Sequence, residues 1–455
     1  MRKPATTDEV VTEDEVPGIA LHPERLPRGL FTLRQKLYAK AKREPTFRFY
    51  TLFGLVLRLD VWEAAWDLVA DNGGGPGVDG VTIARIIASP GGPQALLAAL
   101  REEVRTKRYQ PHAVRRVWIP KADGRRRPLG IPTVRDRIVQ AAVRLILEPI
   151  FEADFLEASY GYRPGRSVHD AAAVIDRSVR EGYRDVYDAD LRGYFDTIPH
   201  DKLMKCVERR VADRSILHLL RQWLVAPVEE RDEAGRPRRS RPTQGTPQGG
   251  VISPLLANLY LHWMDVRFHR PGGPGQEAKA RLVRYADDFV IVAKRLGDDT
   301  PRWVESIVEG WLGLTINRDK TRIVQLRSRN AECLRFVGYE FRYAWSRFAR
   351  DRRYFTVVPS TKSVAAMKAK LREVINSRRN SVPVPEVIAE VNQKLGGWQR
   401  HFCYVHPRAA CQALNHFVIT RLIRHLKHRS QRPCRPPAGM SWYAFITGPL
   451  GFHRI

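Results

Sequence analysis

Two adjacent carboxylates interrupt an apolar stretch at Arg281-Leu-Val-Arg-Tyr-Ala-Asp-Asp-Phe-Val-Ile-Val-Ala-Lys294, and no other segment constrains the chain as much. Leu282-Val283 on one side and Phe289-Val290-Ile291-Val292 on the other read as half-strands, which predicts a β-hairpin with Asp287 and Asp288 at its turn. Neighbouring ionised carboxylates repel, so the arrangement is favourable mainly where a divalent cation offsets the repulsion. A solvated Asp-Asp turn has the same letters, and the pair gains meaning only with a second acidic group.

A second acid ends another short strand. Val186 to Leu191 is apolar enough for a strand that carries Asp190, and Gly193-Tyr194-Phe195-Asp196 follows. Were this strand beside the hairpin, Asp190 and Asp287 could bridge two Mg²⁺ ions about 3.5–4 Å apart, the geometry of in-line phosphoryl transfer. The spacing itself leaves open whether the two strands are neighbours.

The rest of the chain narrows the classes. Its 455 residues carry 77 Lys+Arg against 49 Asp+Glu, a net charge of +28, and 43% hydrophobic residues. Such a chain can bury a core, and a positive excess this large usually serves a polyanion, most often nucleic acid. Five cysteines without a CxxC pair argue against a disulfide scaffold or zinc ribbon. Acidic and polar residues follow Met1-Arg2-Lys3, so no signal peptide is expected. Pro242 to Met264 is uncharged, but its prolines and polar side chains exclude a membrane span. A basic helical segment lies within Leu30–Tyr50, with nucleic-acid contact or an ordinary solvated face as its two readings. Val114–Ile119 reads as a strand, Asp136–Phe151 as a helix, and the chain turns helical from Thr361, which predicts an α+β core with an all-helical C-terminal lobe.

Six segments in order resemble the group II intron-encoded reverse transcriptases and maturases: Asn72-Gly-Gly-Gly-Pro-Gly-Val-Asp-Gly80, Trp118 to Pro132, Ser159-Tyr-Gly-Tyr-Arg-Pro-Gly-Arg-Ser167, Asp190 to Asp196, Thr246-Pro-Gln-Gly-Gly-Val-Ile-Ser-Pro-Leu-Leu256 and Tyr285-Ala-Asp-Asp288. The resemblance implies a right-hand polymerase: a tail and basic extension over 1–60, fingers and palm over 61–345, a helical thumb or maturase lobe over 346–430, and a short tail over 431–455. It implies RNA-directed DNA synthesis with two Mg²⁺ ions held by Asp190, Asp287 and the Leu191 carbonyl, with Asp288 alongside. Lys121, Arg127, Gly193, Tyr194, Phe195 and Gln248 would bind the dNTP, with Phe195 crowding the sugar 2′ position, and Arg115 would lie toward the template. Lys320, in Gly313-Leu-Thr-Ile-Asn-Arg-Asp-Lys-Thr321, would protonate the leaving pyrophosphate. Phe336-Val-Gly-Tyr-Glu-Phe341 resembles the primer-grip hairpin, though alone it reads as a strand with a bulge glycine.

By the same resemblance the partners are an RNA template, an RNA–DNA duplex, dNTPs and group II intron RNA, in a bacterial cytoplasm. Core packing between helices is the expected role of Trp398, Phe402 and Tyr404. His401, Cys403, His406, Cys411 and His416 fit no closed zinc site, and no His-Asn-His endonuclease is expected after Ser430. The competing reading is an RNA-binding maturase, or a relative adopted by a host for defence, repair or CRISPR-associated work.

Overall fold

The computed structural model describes residues 26–120, 126–232, 234–329, 332–346, 351–402, 405, 407–430 and 434–455. Its strands are β1 (Val114–Pro120), β2 (Arg126–Ile131), β3 (Asp185–Ala189), β4 (Val228–Arg231), β5 (Pro237–Ser240), β6 (Ala280–Tyr285), β7 (Asp288–Ala293), β8 (Arg322–Gln325), β9 (Cys333–Phe336), β10 (Tyr339–Trp345) and β11 (Arg353–Pro359). They form three sheets, ordered β2-β1-β4-β5, β6-β7-β3-β8 and β11-β10-β9.

The central sheet β6-β7-β3-β8 divides the molecule. Strand side chains alternate between faces, and here both faces are apolar. Tyr187, Ala189, Phe289, Ile291 and Ala293 join one core with the helices Val134–Glu152 and Ser253–His269. Val186, Val290, Val292 and Val324 join a second core with the helix Val168–Arg180 and the C-terminal helices.

The helix Val134–Glu152 starts at a Thr133 cap whose hydroxyl accepts from the Asp136 N–H, and nearly all its side chains are buried. The expected extension is not a separate unit. The basic helix Arg28–Arg43 packs Leu30, Leu37 and Ala41 into the first core. It also buries Arg34 completely, with Nη2 donating to Glu148 at 2.8 Å. Lys36, Lys42 and Arg43 stay exposed on its outer face.

The helices Thr361–Val374, Val384–His401 and Arg408–His428 build the C-terminal lobe around Leu371, Val391, Leu395, Leu414 and Leu422. Trp398 and Phe402 are buried there as expected, while Tyr404 lies outside the described residues. Residues past 430 are more than the expected tail. A helix at Trp442–Thr447 buries Ile446 against the lobe, Phe452 follows it, and Asn415 holds the Ile455 backbone in both directions.

The Val337-Gly338 step is a two-residue hairpin turn between β9 and β10, with φ of 44° and 90°, rather than a bulge within one strand. Among the described residues no helix is long and apolar enough to cross a membrane, and no group of three metal-ligating side chains stands ready to hold an ion. Cys403 and His406 lie outside the described residues.

Candidate active site

The acidic hairpin forms as expected. β6 and β7 pair antiparallel with Tyr285 opposite Asp288, which leaves Ala286 and Asp287 to make the turn. Ala286 takes a left-handed φ of 58°, a conformation costly for a side chain with a Cβ. What holds it there is Arg284, whose side chain is fully buried and bonds the Ala286 carbonyl at 2.9 Å, Asn258 Oδ1 at 2.9 Å and the Asp265 carboxylate at 2.6 Å. The Ser159–Ser167 loop packs on the same turn, and a Cβ built on Gly161 would lie 2.3 Å from the Ala286 nitrogen. Only glycine fits there.

β3 pairs with β7 on one edge and β8 on the other, so the strand carrying Asp190 is the hairpin's neighbour. The β3–β7 ladder ends at Ala189↔Phe289, which brings Asp190, the next residue of its chain, to the end of the sheet where Asp288 begins β7. Past β3 the chain pairs with the 313–317 segment: Asn317 N–H donates to the Asp190 carbonyl and Arg192 N–H to the Thr315 carbonyl, both at 2.8 Å. Leu191, lying between, is a non-hydrogen-bonded pair with Ile316, so its own carbonyl points away from that segment toward the hairpin side.

The Asp190 carboxylate is held by two side chains. Asn317 Nδ2 donates at 2.7 Å, and Lys320 Nζ lies 3.0 Å from both oxygens. One register step back, Arg322 pairs with Asp188 at 3.1 Å. Among the described residues the hairpin acids have no such partner at contact distance. Burial pushes the Asp287 carboxyl above its ordinary range, with Arg127 and Lys320 pulling the other way. Asp288 is pushed up to about 7, by burial first and then by Asp287, Asp190 and Asp188. The cluster is therefore short of positive charge, and Lys320 supplies part of it. Two carboxylates and a peptide carbonyl are hard oxygen donors of the kind a divalent cation takes.

Asp190, Leu191, Gly193, Phe195, Asp287 and Asp288 line a cleft of about 330 Å³, with Arg127, Gln248, Asn317 and Lys320 on its other walls. Gln248 is set by its loop: its carbonyl accepts from Gly130 N–H at 2.8 Å, and Thr246 N–H donates to the Phe195 carbonyl at 2.7 Å. Gly249 has φ of 125° and passes so near β2 that a Cβ would lie 2.5 Å from the Gly130 oxygen. Phe195 is buried in the cleft floor, edge-on to Tyr194 and Tyr162. Tyr194 also borders the cleft, with its hydroxyl turned into the core where it donates to the Ala257 carbonyl at 2.6 Å. Arg115 lies outside the cleft lining, beside Gly75, and its buried Nε has no partner among the described residues. Lys121 is outside the described residues.

Sequence reasoning missed Asn317, Arg284 and Gly161. Asn317 and Gly161 sit inside quoted segments, and Arg284 directly precedes Tyr285, so position was the available signal.

Residues 119–341 match the reverse transcriptase (RNA-dependent DNA polymerase) family, and residues 364–438 the maturase-specific domain of group II introns. The chain is 35% identical to protein YkfC of Escherichia coli over 375 residues, 73% of this chain and 93% of that one. It is 28% identical to the group II intron-encoded protein LtrA of Lactococcus lactis, over 65% of this chain and 57% of that one. An uncharacterised 91 kDa protein of the cob intron in Schizosaccharomyces pombe is 27% identical over 69% of this chain and 46% of its own. The chain thus spans about half the length of these two intron proteins. Among solved structures, apo telomerase from Candida tropicalis aligns with a TM-score of 0.42 at 14% identity, covering 73% of this chain and 67% of that one.

Proposed function

The chain belongs to the family of group II intron-encoded reverse transcriptases that carry a maturase-specific domain, and we propose that it extends a primer 3′-hydroxyl with dNTPs on an RNA template and assists splicing of an intron RNA. The observation that carries this reading is the meeting of Asp190 with Asp287 and Asp288 in one cleft, on neighbouring strands. Members of this family use divalent metal ions. In this reading Asp190, Asp287 and the Leu191 carbonyl would hold two Mg²⁺ ions, whose positive charge would favour ionisation of the 3′-hydroxyl and offset the charge on the leaving pyrophosphate.

The chain's own residues do the rest. Arg127, with Lys121, binds the triphosphate, while Gln248 and the Gly193–Tyr194 backbone line the nucleotide's seat. Phe195 fills the space a ribose 2′-hydroxyl would need. Lys320, protonated at neutral pH, gives its proton to the departing pyrophosphate oxygen. Arg115, beside Gly75 and outside the cleft lining, would lie toward the template. The C-terminal helices hold the template–primer duplex and, in the splicing role, intron RNA, following phosphates without reading sequence.

Primer extension on an RNA template with dNTPs and Mg²⁺, wild type beside Asp287→Ala, tests this. Extension by the wild type and none by the variant, with RNA binding retained in both, is the expected result. A folded wild type that binds RNA but extends nothing would overturn the polymerase reading in favour of a binding-only maturase.

A further inference from the structure

The hairpin that begins at the Val337-Gly338 turn continues well past the sheet that anchors it. β9 pairs with β10 only from Tyr339 to Arg342, whereas β10 and β11 stay paired out to Trp345↔Arg353. Beyond Arg342 the structure is therefore a two-stranded ribbon, with Tyr343 and Phe355 on one face packed on the second core and the opposite face of Ala344 and Tyr354 open to solvent. Between Arg342 and Tyr354 the sequence carries five arginines against one aspartate. Two large aromatics stand out in solvent, Trp345 at 58% and Tyr354 at 51% exposure. Trp345 is already covered in part by the Arg353 guanidinium, 4.3 Å from its ring centre. Tyr354 points to the opposite face.

The pleat puts Arg342, Ala344, Tyr354 and Thr356 on that face, with Ala344 opposite Tyr354 and Arg342 opposite Thr356. Arg342 and Tyr354 are thus diagonal neighbours, within reach of one ligand. The same face runs into a groove of about 400 Å³ against the helix Thr361–Val374, lined by Val358, Val364, Ala365, Arg342 and Lys368. The acid in this groove, Glu340, is already satisfied by Arg335 and by the Thr361 backbone and hydroxyl. Arg342 and Lys368 have no carboxylate partner among the described residues. An exposed ring diagonal to Arg342, with Lys368 in the adjoining groove over the face of the Phe417 ring at 5.6 Å, suits a base and its neighbouring phosphates better than an apolar protein face. An unpaired strand is required, because bases stacked inside a duplex present no free face to a tyrosine.

We propose that this face of the β10–β11 ribbon binds an unpaired stretch of RNA, stacking a base on Tyr354 and holding the flanking phosphates with Arg342 and Lys368. The proposal rests on reading the chain as an RNA-handling enzyme and names a surface separate from the catalytic cleft.

The test uses the full chain, with the cleft filled by saturating blunt RNA–DNA duplex, and a fluorescent fifteen-nucleotide oligouridine as probe. Tyr354→Ala should weaken oligouridine binding about ten-fold, and Tyr354→Phe should restore it, since stacking needs the ring and not the hydroxyl. Replacing both Arg342 and Lys368 by Gln should flatten the plot of log affinity against log salt by about 1.4, the slope two single-strand phosphate contacts contribute. Unchanged affinity and slope in all variants would overturn the proposal and leave the face to a protein partner. So would a Phe variant as weak as the Ala variant. Primer extension on the same preparations separates the two claims: its absence in wild type sinks the polymerase reading, whereas normal extension with unaltered oligouridine binding in the variants sinks the ribbon alone.

Discussion

Lys320 and Asp190 form an ion pair at the centre of the catalytic cleft, the ammonium 3.0 Å from each carboxylate oxygen. The expected general acid thus rests on an expected metal ligand, and the two assignments are mechanically linked. In the proposed mechanism a cation held by Asp190 would compete with Lys320 for the same oxygens and leave the ammonium free to reach the pyrophosphate.

Lys320→Ala should slow single-turnover nucleotide addition about a hundred-fold, the lower end of what a positioned proton donor contributes, with template–primer affinity unchanged. A loss below about three-fold would remove Lys320 from the chemistry.

Asp288 makes stability depend on pH. Its folded carboxyl is pushed up to about 7, above the roughly 3.9 of an unfolded aspartate, and because the residue keeps contact with solvent the effect on stability is screened. Between those values the folded chain binds a proton that the unfolded chain does not, so stability falls as pH rises through the window. Glu152, pushed up to about 7 by burial, and Asp154, to about 6, titrate in the same range. Asp288→Asn should therefore raise the metal-free Tm at pH 8, leave it nearly unchanged at pH 4, and remove part of the slope between. Thermal melts across pH check this, and an identical slope in the variant would count against it.

The turn that carries Asp287 depends on its support. Gly161→Ala should cut primer extension more than ten-fold, because its Cβ overlaps the Ala286 nitrogen. Arg284→Met should cost about 3–5 kcal/mol by leaving Asp265 buried and unpaired. Pairing it with Asp265→Leu should recover most of that stability in denaturant melts but not the extension activity, since the Ala286 carbonyl still lacks its donor.

Phe195→Ala should admit ribonucleotides. The ratio of dNTP to rNTP incorporation, measured with each nucleotide alone, is expected to fall at least ten-fold while dNTP incorporation persists. An unchanged ratio would assign the ring to core packing only.

Much of the centre was legible because its signals are local. The apolar half-strands flanking Asp287-Asp288, the strand ending at Asp190 and the helical periods after Thr361 each declare themselves within a short window. The charged residues that position the site do not. Arg34 looks like one more basic residue on a solvated helix, yet its partner Glu148 lies 114 residues on. Arg284 resembles a surface strand arginine, and its burial follows from Asp265 on a helix nineteen residues earlier. Tyr194 and Phe195 are adjacent in sequence, but only the fold turns one phenol into the core. Ile446 and Phe452 stand among glycines and prolines, so no period marks them as core.

The central sheet has one further consequence. With valines facing the core shared by the helix Val168–Arg180 and the C-terminal helices, and aromatic and aliphatic residues facing the other core, it is a party wall between two halves of the protein. A chain cut after residue 345 would keep the helix Val168–Arg180 on this face but remove Met367, Leu371, Val391, Leu395, Leu414 and Leu422 from the second core, leaving its remaining apolar residues open to solvent and prone to aggregate. The proposed synthesis and splicing roles are therefore best told apart by single substitutions within the intact chain, since an inactive truncation would report a broken core rather than a missing activity.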